Sequence, residues 1–567
     1  MNRTSLIVLF VLMLLAAGCA KIVAPVGGPK DVTPPAVTKE HPANGTTNFK
    51  GNSFKVTFNE YVTLNNTAEN VLISPPPATS PTYTLSGKSL IVKFQDTLLP
   101  DQTYNVSFAN CIQDFTEGNP LPLYSYAFST GPAVDSMMVE GKVVDAITMK
   151  PASNCFVFAY LDDVDSLPMT TRPQFITKTL ANGSFQIKNL KAGSYKIFVL
   201  DDEDNNLMYS QPTESIAFSP ELYEAVPIQK DTAAVADSLA SDTVQVTADT
   251  VKPMPLLRLF KAKLPQKLQK SQNKEKGKYE FVFSEEVADV KLQGIDTTVD
   301  FFTYTGHDSL ILYMKADLTD TVQLVCMMGD TLVDTLELKP FKEKDTRGAR
   351  RNREEKSTAL SVTVSNKGEL YKPLTLNFPY PIRPCDSVRV RLVAKKKYAG
   401  NDTHYLWISV PDTFAMSVSI PFTYEEKVPY ELMIRDSVFA GYNGCCNDTL
   451  VANFTAKTEK DYGTLKIQYK VPANGIHYVA TLLSEKGAEL RSDKVAPNEV
   501  VVYDRLPAGK YKVRLLEDNN GNGVWDTGDY KQKLLPEKVE FFSQSLTVRG
   551  YWELEECFEW GDKQCYF

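Results

Sequence analysis

Histidine and tryptophan are scarce in this chain of 567 residues, with four of each. His41, His307, His404 and His477 lie too far apart for any two to share a metal-ligand spacing, which excludes the helical motif of zinc proteases. No nucleophile elbow, phosphate-cradling glycine loop or cysteine–histidine dyad is legible. Basic excess is also lacking: the formal net charge is −8, which argues against a dedicated nucleic-acid binder. Long helical periodicity is nearly absent. Past residue 19 no apolar run reaches the ~20 residues that a membrane-crossing helix needs. A glycosidase could still set two carboxylates in a cleft, but acidic neighbours such as Asp162-Asp163 and Asp201-Asp202 read as solvated loop pairs. The chain is therefore read as non-enzymatic.

The first nineteen residues are of a different kind. Asn2 and Arg3 form a short basic head, Leu6 to Leu15 is unbroken apolar sequence, and Ala16-Ala17-Gly18 leads into Cys19. This is the pattern of a secretory signal ending in cysteine. It resembles a bacterial lipoprotein signal. The resemblance implies that residues 1–18 are removed and that Cys19 becomes an acylated N-terminus, a palmitate-class lipid anchor. Each buried methylene adds about 0.8 kcal/mol of membrane affinity. A cleaved secretory peptide with an incidental cysteine, or a signal anchor, is the alternative. Residues 19–35 read as a Pro/Gly tether. Ala20 at the position after the cysteine resembles lipoproteins sent to the outer membrane. The stretch Ala20-Lys21-Ile22-Val23 lacks the acidic residues of the Bacteroidota surface-export signal, which favours the periplasmic face.

The rest of the chain carries strand signals of period two. Phe54, Val56 and Phe58 alternate with polar neighbours, as do Leu90, Val92 and Phe94, then Tyr104, Val106 and Phe108, then Tyr124, Tyr126 and Phe128. With Asp31-Val32-Thr33-Pro34-Pro35, Pro42-Ala43-Asn44-Gly45, Phe58-Asn59-Glu60 and Phe128-Ser129-Thr130-Gly131, residues 36–132 resemble the SbsA-type bacterial Ig-like domain of Bacteroidota envelope lipoproteins. A second module, 136–228, begins at Val139-Glu140-Gly141 and runs through Asn182-Gly183-Ser184-Phe185 to Leu190-Lys191-Ala192-Gly193-Ser194-Tyr195. It resembles transthyretin-like or Cna-B-like sandwiches, in which the glycine turns the chain and the tyrosine packs between sheets. Leu190, Gly193, Tyr195, Leu200, Asp202, Asp204 and Asn206 recur at one constant offset as Leu506, Gly509, Tyr511, Leu516, Asp518, Asn520 and Asn522. The last module, 457–567, thus repeats the second. Between them, Phe281, Phe283 and Ser309-Leu310-Ile311 echo the first module and place an Ig-like sandwich at 256–345. Another is placed at 359–456, from Leu374, Leu376 and Phe378 to Tyr430, Leu432 and Ile434. The predicted fold class is all-β, a tandem array of about five Ig-like and transthyretin-like β-sandwich modules.

Two linkers interrupt the array. Residues 229–255 are poor in aromatics and rich in Ala, Asp, Ser, Thr and Val, so they cannot build a core. They contain Asp231-Thr232-Ala233, Asp237-Ser238-Leu239, Asp242-Thr243-Val244 and Asp249-Thr250-Val251. Each resembles the Bacteroidota O-glycosylation sequon, which implies glycans on Thr232, Ser238, Thr243 and Thr250. Residues 346–358 form a charged linker, part of a run with Arg347, Arg350, Arg351 and Arg353. The runs Arg258–Lys278 and Lys342–Lys356 read as solvated linkers, with contact to anionic lipid or lipopolysaccharide phosphate as the alternative.

Eight cysteines besides Cys19 permit disulfides in an exported protein. Cys557 and Cys565 are the expected pair, since they close a short C-terminal loop. For the others, buried thiols are the alternative. The segment Asp518-Asn519-Asn520-Gly521-Asn522-Gly523-Val524-Trp525-Asp526-Thr527-Gly528-Asp529 has the oxygen spacing of an EF-hand-like calcium loop. Asp518, Asn520, Asn522, Asp526, Asp529 and the Val524 carbonyl are the expected ligands, and Gly523 makes the turn. A water-facing Asn/Gly turn is the alternative. Asp529, in place of glutamate, weakens bidentate coordination. The expected role of the calcium is structural, holding the last module's loop.

The functional expectation is a non-catalytic, lipid-anchored outer-membrane protein of a Bacteroidota-like envelope. It would serve as scaffold, spacer or adaptor for another envelope protein, bound to the membrane through its lipid and to no nucleic acid. The alternative is a carbohydrate-binding lipoprotein in which Trp407, Trp525, Trp552 or Trp560 stacks on sugar rings. Each of these tryptophans is otherwise read as a core residue, and the aromatics of the C-terminal stretch from Phe558 as exposed.

Overall fold

The computed structural model describes residues 31–121, 124–228, 255–275, 277–294, 301–314, 318–329, 331–341, 359–396, 400–410, 415–442 and 444–561. The signal segment, Cys19, most of the tether, the four sequon residues Thr232, Ser238, Thr243 and Thr250, the run from Lys342 and Cys565 lie outside them. Among the described residues the chain is β throughout, broken by single turns of helix at Thr67–Asn70, Leu167–Thr170 and Glu459–Asp461. The described residues fall into two compact units. One is drawn from 1–143, 151–209 and 218–257, the other from 144–150, 210–217 and 258–567.

In the first unit, Ser53–Phe58 alternates inward Phe54, Val56 and Phe58 with outward residues, because a strand with one face on a core must repeat with period two. It pairs with Val37–His41 and with Ser89–Lys93, and Thr82–Ser86 completes the sheet. Leu72–Ser74, Thr103–Ser107 and Ser125–Ser129 form the facing sheet. The two inner faces interlock through aromatic rings: Phe54 stacks on Tyr126 at 3.9 Å and Tyr104 on Phe128 at 5.3 Å. The buried Tyr126 hydroxyl donates to the Pro42 carbonyl at 2.8 Å.

Further along this unit, Phe156–Tyr160 lies between Phe175–Lys178 and Ser194–Asp201, and Met137–Asp145 pairs with Ser184–Leu190. Gly193 has φ +155 at the turn and Tyr195 is fully buried, its hydroxyl donating to the Lys191 carbonyl at 2.9 Å. Two sheet edges meet at Ser74. Its Oγ donates to the Ile176 carbonyl at 3.0 Å and accepts the Ile176 N–H at 2.8 Å. That contact covers backbone which an open edge would leave available for pairing.

In the second unit, Leu268–Glu275, Lys278–Phe283, Ser309–Met314 and Phe301–Thr305 form one sheet, and Val290–Gln293, Val322–Met328 and Thr331–Leu338 face it across a core of Phe281, Leu310, Leu324 and Leu336. The echo of the first module extends to the backbone. Phe283 N–H bonds the Asp308 carbonyl as Phe58 N–H bonds that of Lys88. Residues 359–456 carry Thr363–Ser365, Leu374–Ile382 and Ala415–Ile420 against Gly400–Val410, Cys385–Lys396, Pro429–Ile434 and Leu450–Thr455. The last sandwich sets Glu499–Pro507, Tyr462–Lys470 and Glu553–Glu559 against Glu489–Val495, His477–Ser484, Gly509–Asp518 and Val539–Phe541.

Two expectations change here. The strand Leu256–Lys261, placed by sequence at the start of the third module, pairs instead with Ser215–Phe218 through Ser215–Lys261 and Ile216–Phe260. The third module's own sheet begins at Leu268. The basic run Arg258–Lys278 is accordingly not a solvated linker, since Leu268–Glu275 is a strand on Lys278–Phe283. Lys270 is exposed on that strand, and an outward-facing lysine imitates a linker's composition.

Candidate cation loop and exposed aromatic strand

The strand Gly509–Asp518 ends by burying the Asp518 carboxylate completely. A buried carboxylate must be hydrogen-bonded, and the next turn supplies the donors. Asp518 Oδ1 accepts the Gly521 N–H and Oδ2 the Gly523 N–H, each at 2.8 Å. Gly521 and Gly523 have φ +75 and +81, a left-handed conformation that glycine adopts without steric cost. Asn520 and Asn522 continue the series, accepting the N–H of Asn522 at 2.9 Å and of Val524 at 2.7 Å. Both amide groups then donate to Asp526 Oδ2, at 2.5 and 2.8 Å. Asp518, Asn520, Asn522 and Asp526 are thus brought to one short turn.

Asp529 is not brought there. Its carboxylate accepts the N–H groups of Lys531 and Gln532 and the Gln532 amide, closing a separate turn bridged to Leu534. Its expected place as final ligand is corrected on that ground. The acid that does reach the loop is Glu537. Buried, it accepts the Asn519 N–H at 2.7 Å and the Asp526 N–H at 3.0 Å. Burial first, with the nearby Asp526 and Asp518 charges adding, holds its carboxyl above the usual carboxylate range. The donor set, carboxylates and amide oxygens on one turn, suits a hard cation with oxygen preference.

The earlier copy repeats four of these bonds. Leu207 N–H bonds Asp202 Oδ2 at 2.8 Å, Asn206 N–H bonds Asp204 Oδ1 at 3.1 Å, and Met208 N–H bonds Asn206 Oδ1 at 2.6 Å. Leu207 takes φ +62 where the later copy has glycine. Ser210 N–H bonds Glu214 Oε2 as Asp526 N–H bonds Glu537 Oε2. This equivalence was the signal for Glu537. An insertion after Asp526, the one that holds Asp529, breaks the constant offset and hides it.

The other singled-out residues are placed as follows. Cys557 is disulfide-bonded, while its expected partner Cys565 lies outside the described residues. Cys111, Cys155 and Cys326 are buried free thiols, and burial pushes each up to about 11. His307 lies 3.8 Å from Glu286 on open surface, and His404 lies 3.5 Å from Asp402. Among the tryptophans, Trp525 donates to the Glu537 carbonyl at 2.9 Å and packs beside Leu516 and Val539. Trp560 packs edge-on to Tyr478, and Phe558 is core, correcting the exposed reading for these two; Tyr566 and Phe567 lie outside the described residues. Trp552 and Trp407 are not core, which corrects the opposite expectation. Trp407 is 67% and Tyr405 50% exposed, two residues apart on Gly400–Val410, an edge strand. Arg389 and Arg391 stand opposite them in register, and the Arg389 guanidinium lies 4.4 Å from the Tyr405 ring centroid.

Residues 31–130 match the family model described as a bacterial Ig-like domain. That match covers the first sandwich alone. No curated protein matches the chain. Among solved structures, the major pilin subunit BcpA of Bacillus cereus is similar at 9% identity, over 74% of this chain and 98% of that one, with a TM-score of 0.15. Native α2-macroglobulin of Escherichia coli, domains MG0-NIE-MG1, is similar at 13% identity over 50% and 97%, with a TM-score of 0.17. Domains 1–6 of the surface layer protein SbsC are similar at 13% identity over 91% and 67%, with a TM-score of 0.13. Overlaps this low carry no argument about function. Among the described residues no helix is long and apolar enough to cross a membrane.

Proposed function

We propose that this chain is a non-catalytic, lipid-anchored protein of a bacterial outer membrane, acting as scaffold, spacer or adaptor for another envelope protein. Acylated Cys19 is its anchor, and the periplasmic face is the favoured side. One observation carries the reading: the described chain is spent on successive sandwiches with closed cores, and the thiols of Cys111, Cys155 and Cys326 are buried in them. The buried thiols titrate too high to act as nucleophiles at neutral pH. The histidines sit in separate sandwiches. An Ig-like domain at residues 31–130 agrees with this role without requiring it. Calcium at Asp518, Asn520, Asn522, Asp526 and Glu537 is proposed as a structural ion, since it would neutralise carboxylates held close together.

Detergent phase partition tests the anchor. The native chain should enter the detergent phase and Cys19→Ser the aqueous phase; an unmodified amino end by mass spectrometry of the native protein refutes the anchor. Mild-detergent extraction with affinity capture tests the scaffold role, which requires a stoichiometric envelope partner. Trp407 and Tyr405 favour a second reading, carbohydrate binding on the open sheet face. Loss of glycan retention in Trp407→Ala would support it, and glycan-array silence of the native chain would end it.

A further inference from the structure

The edge strand Gly400–Val410 turns Tyr405 and Trp407 to solvent, and the neighbouring strand sets Arg391 and Arg389 opposite them. We propose that this face binds an acidic polysaccharide, stacking a uronic acid ring on Trp407 and taking its carboxylate on Arg389. The proposal rests on the carbohydrate reading above and names the class of sugar. Period-two alternation builds the face. Ile408 and Val410 are buried, so Tyr405, Trp407 and Ser409 point outward. Val390 and Leu392 are buried likewise, which sends Arg389 and Arg391 to the same side. Arg389 stands opposite Trp407 in register, yet its guanidinium lies over the diagonal neighbour Tyr405, 4.4 Å from the ring centroid. That lean has two consequences. It leaves the Trp407 indole without a cross-strand cover, and it orders the guanidinium on an aromatic face before any ligand arrives.

Charge sets the class of ligand. Among the described residues neither Arg389 nor Arg391 is held in an ion pair, and Glu431, one strand further on, is paired with Lys395 at 2.6 Å. Two uncompensated guanidinium groups beside a bare indole call for a ligand that is apolar on one face and anionic at its rim. A uronic acid ring has that form. Its C–H face stacks on the indole, and its carboxylate, bonded directly to the ring, reaches the next strand about 4.8 Å away. The guanidinium fork matches a planar carboxylate with two parallel N–H···O bonds. A protein hot spot would instead surround the indole with neighbours that exclude water. Trp407 has Ser409 beside it on its own strand and Arg389 across from it, both exposed and polar. Because the strand is an edge, a polymer can run off the sheet on its outer side.

The test is affinity electrophoresis and titration calorimetry of the full chain with polygalacturonate, alginate and hyaluronate. Methyl-esterified polygalacturonate supplies the ring without its charge, and polyglutamate the charge without a ring. At least one uronate polymer should bind saturably, the ester about ten-fold or more weakly, and polyglutamate not measurably. Trp407→Ala should abolish retention. Arg389→Gln should weaken uronate binding about ten-fold or more and leave the ester's affinity unchanged. Arg505→Gln removes another exposed guanidinium stacked on a tyrosine, 4.6 Å from the Tyr371 ring centroid, and should change nothing. Thermal melting checks that all three variants fold. An ester that binds through Trp407 as tightly as the uronate polymers overturns the acidic class and keeps the carbohydrate reading, whereas silence towards every glycan overturns both. Polyglutamate binding as tightly as uronate, or Trp407-dependent capture of a protein without uronate binding, also overturns the proposal.

Discussion

Replacing Asp518 by asparagine separates a built loop from a merely polar one. The carboxylate is buried and accepts two backbone N–H groups, one on each oxygen, at 2.8 Å. Hydrogen bonds to a charged acceptor contribute about 1.5–3 kcal/mol each. Asparagine preserves the shape, but its amide nitrogen must face one of the two glycine N–H groups, so one bond is lost outright and the other loses its charge. The expected cost is about 2–4 kcal/mol. For a sandwich of this size each kcal/mol lowers the midpoint by about 4–8 °C. Hydrogen exchange of the Gly509–Asp518 amides reads the last sandwich locally, without the rest of the chain. Asp529→Asn is the control, since Asp529 closes its own exposed turn and should cost under about 0.5 kcal/mol. Calcium adds a second arm: at one hundred times its dissociation constant it should raise native stability by about 2.7 kcal/mol, and Asp518→Asn should abolish the gain. An Asp518→Asn protein as stable as the native one, or an Asp529→Asn protein equally damaged, would refute the reasoning.

Three further outcomes are expected. Ser74→Ala removes both bonds to Ile176 and leaves a buried N–H and carbonyl without the hydroxyl, for a loss of about 1–3 kcal/mol by denaturant titration; a loss within error shows that water replaces it. Tyr195→Phe and Tyr511→Phe each delete one hydroxyl-to-carbonyl bond, to Lys191 and to Pro507, and should cost about 0.5–1.5 kcal/mol apiece with similar values in the two copies. Glu537 should make the chelated protein pH-sensitive: because its carboxyl is raised in the folded state, its favourable contribution is complete below the ordinary carboxylate value and is lost as pH rises through the folded one. Melting from acid to neutral pH, native minus Glu537→Gln, should show that decline without calcium, and a flat difference would contradict it.

Legibility followed the range of the interaction. Phe54, Val56 and Phe58 were readable as a strand because alternate burial is written in adjacent residues. The repeat of Tyr195 in Tyr511 was readable because each stands near the start of a strand and its hydroxyl bond reaches back only four residues, across the preceding turn. Leu256–Lys261 was assigned to the wrong neighbour, since its apolar pattern declares a strand and says nothing of its partner. Trp407 was misread for a related reason: composition does not tell which face of a sheet a residue occupies when its strand lies at an edge.

The loop at Asp518 divides in the same way. Its first five oxygen-bearing and glycine positions follow from local spacing, because each side chain bonds a backbone group two to five residues on. That Glu537 enters and Asp529 leaves was decided by the returning strand Val539–Phe541, which pairs with Gly509–Asp518 and carries Glu537 back beside Asn519. Sequence alone determined the all-β character, the signal-like N-terminus and the doubled turn, all of them short-range patterns. Tertiary structure alone decided which acid closes that turn and which tryptophans meet solvent, because strand pairing joins residues that no fixed spacing connects.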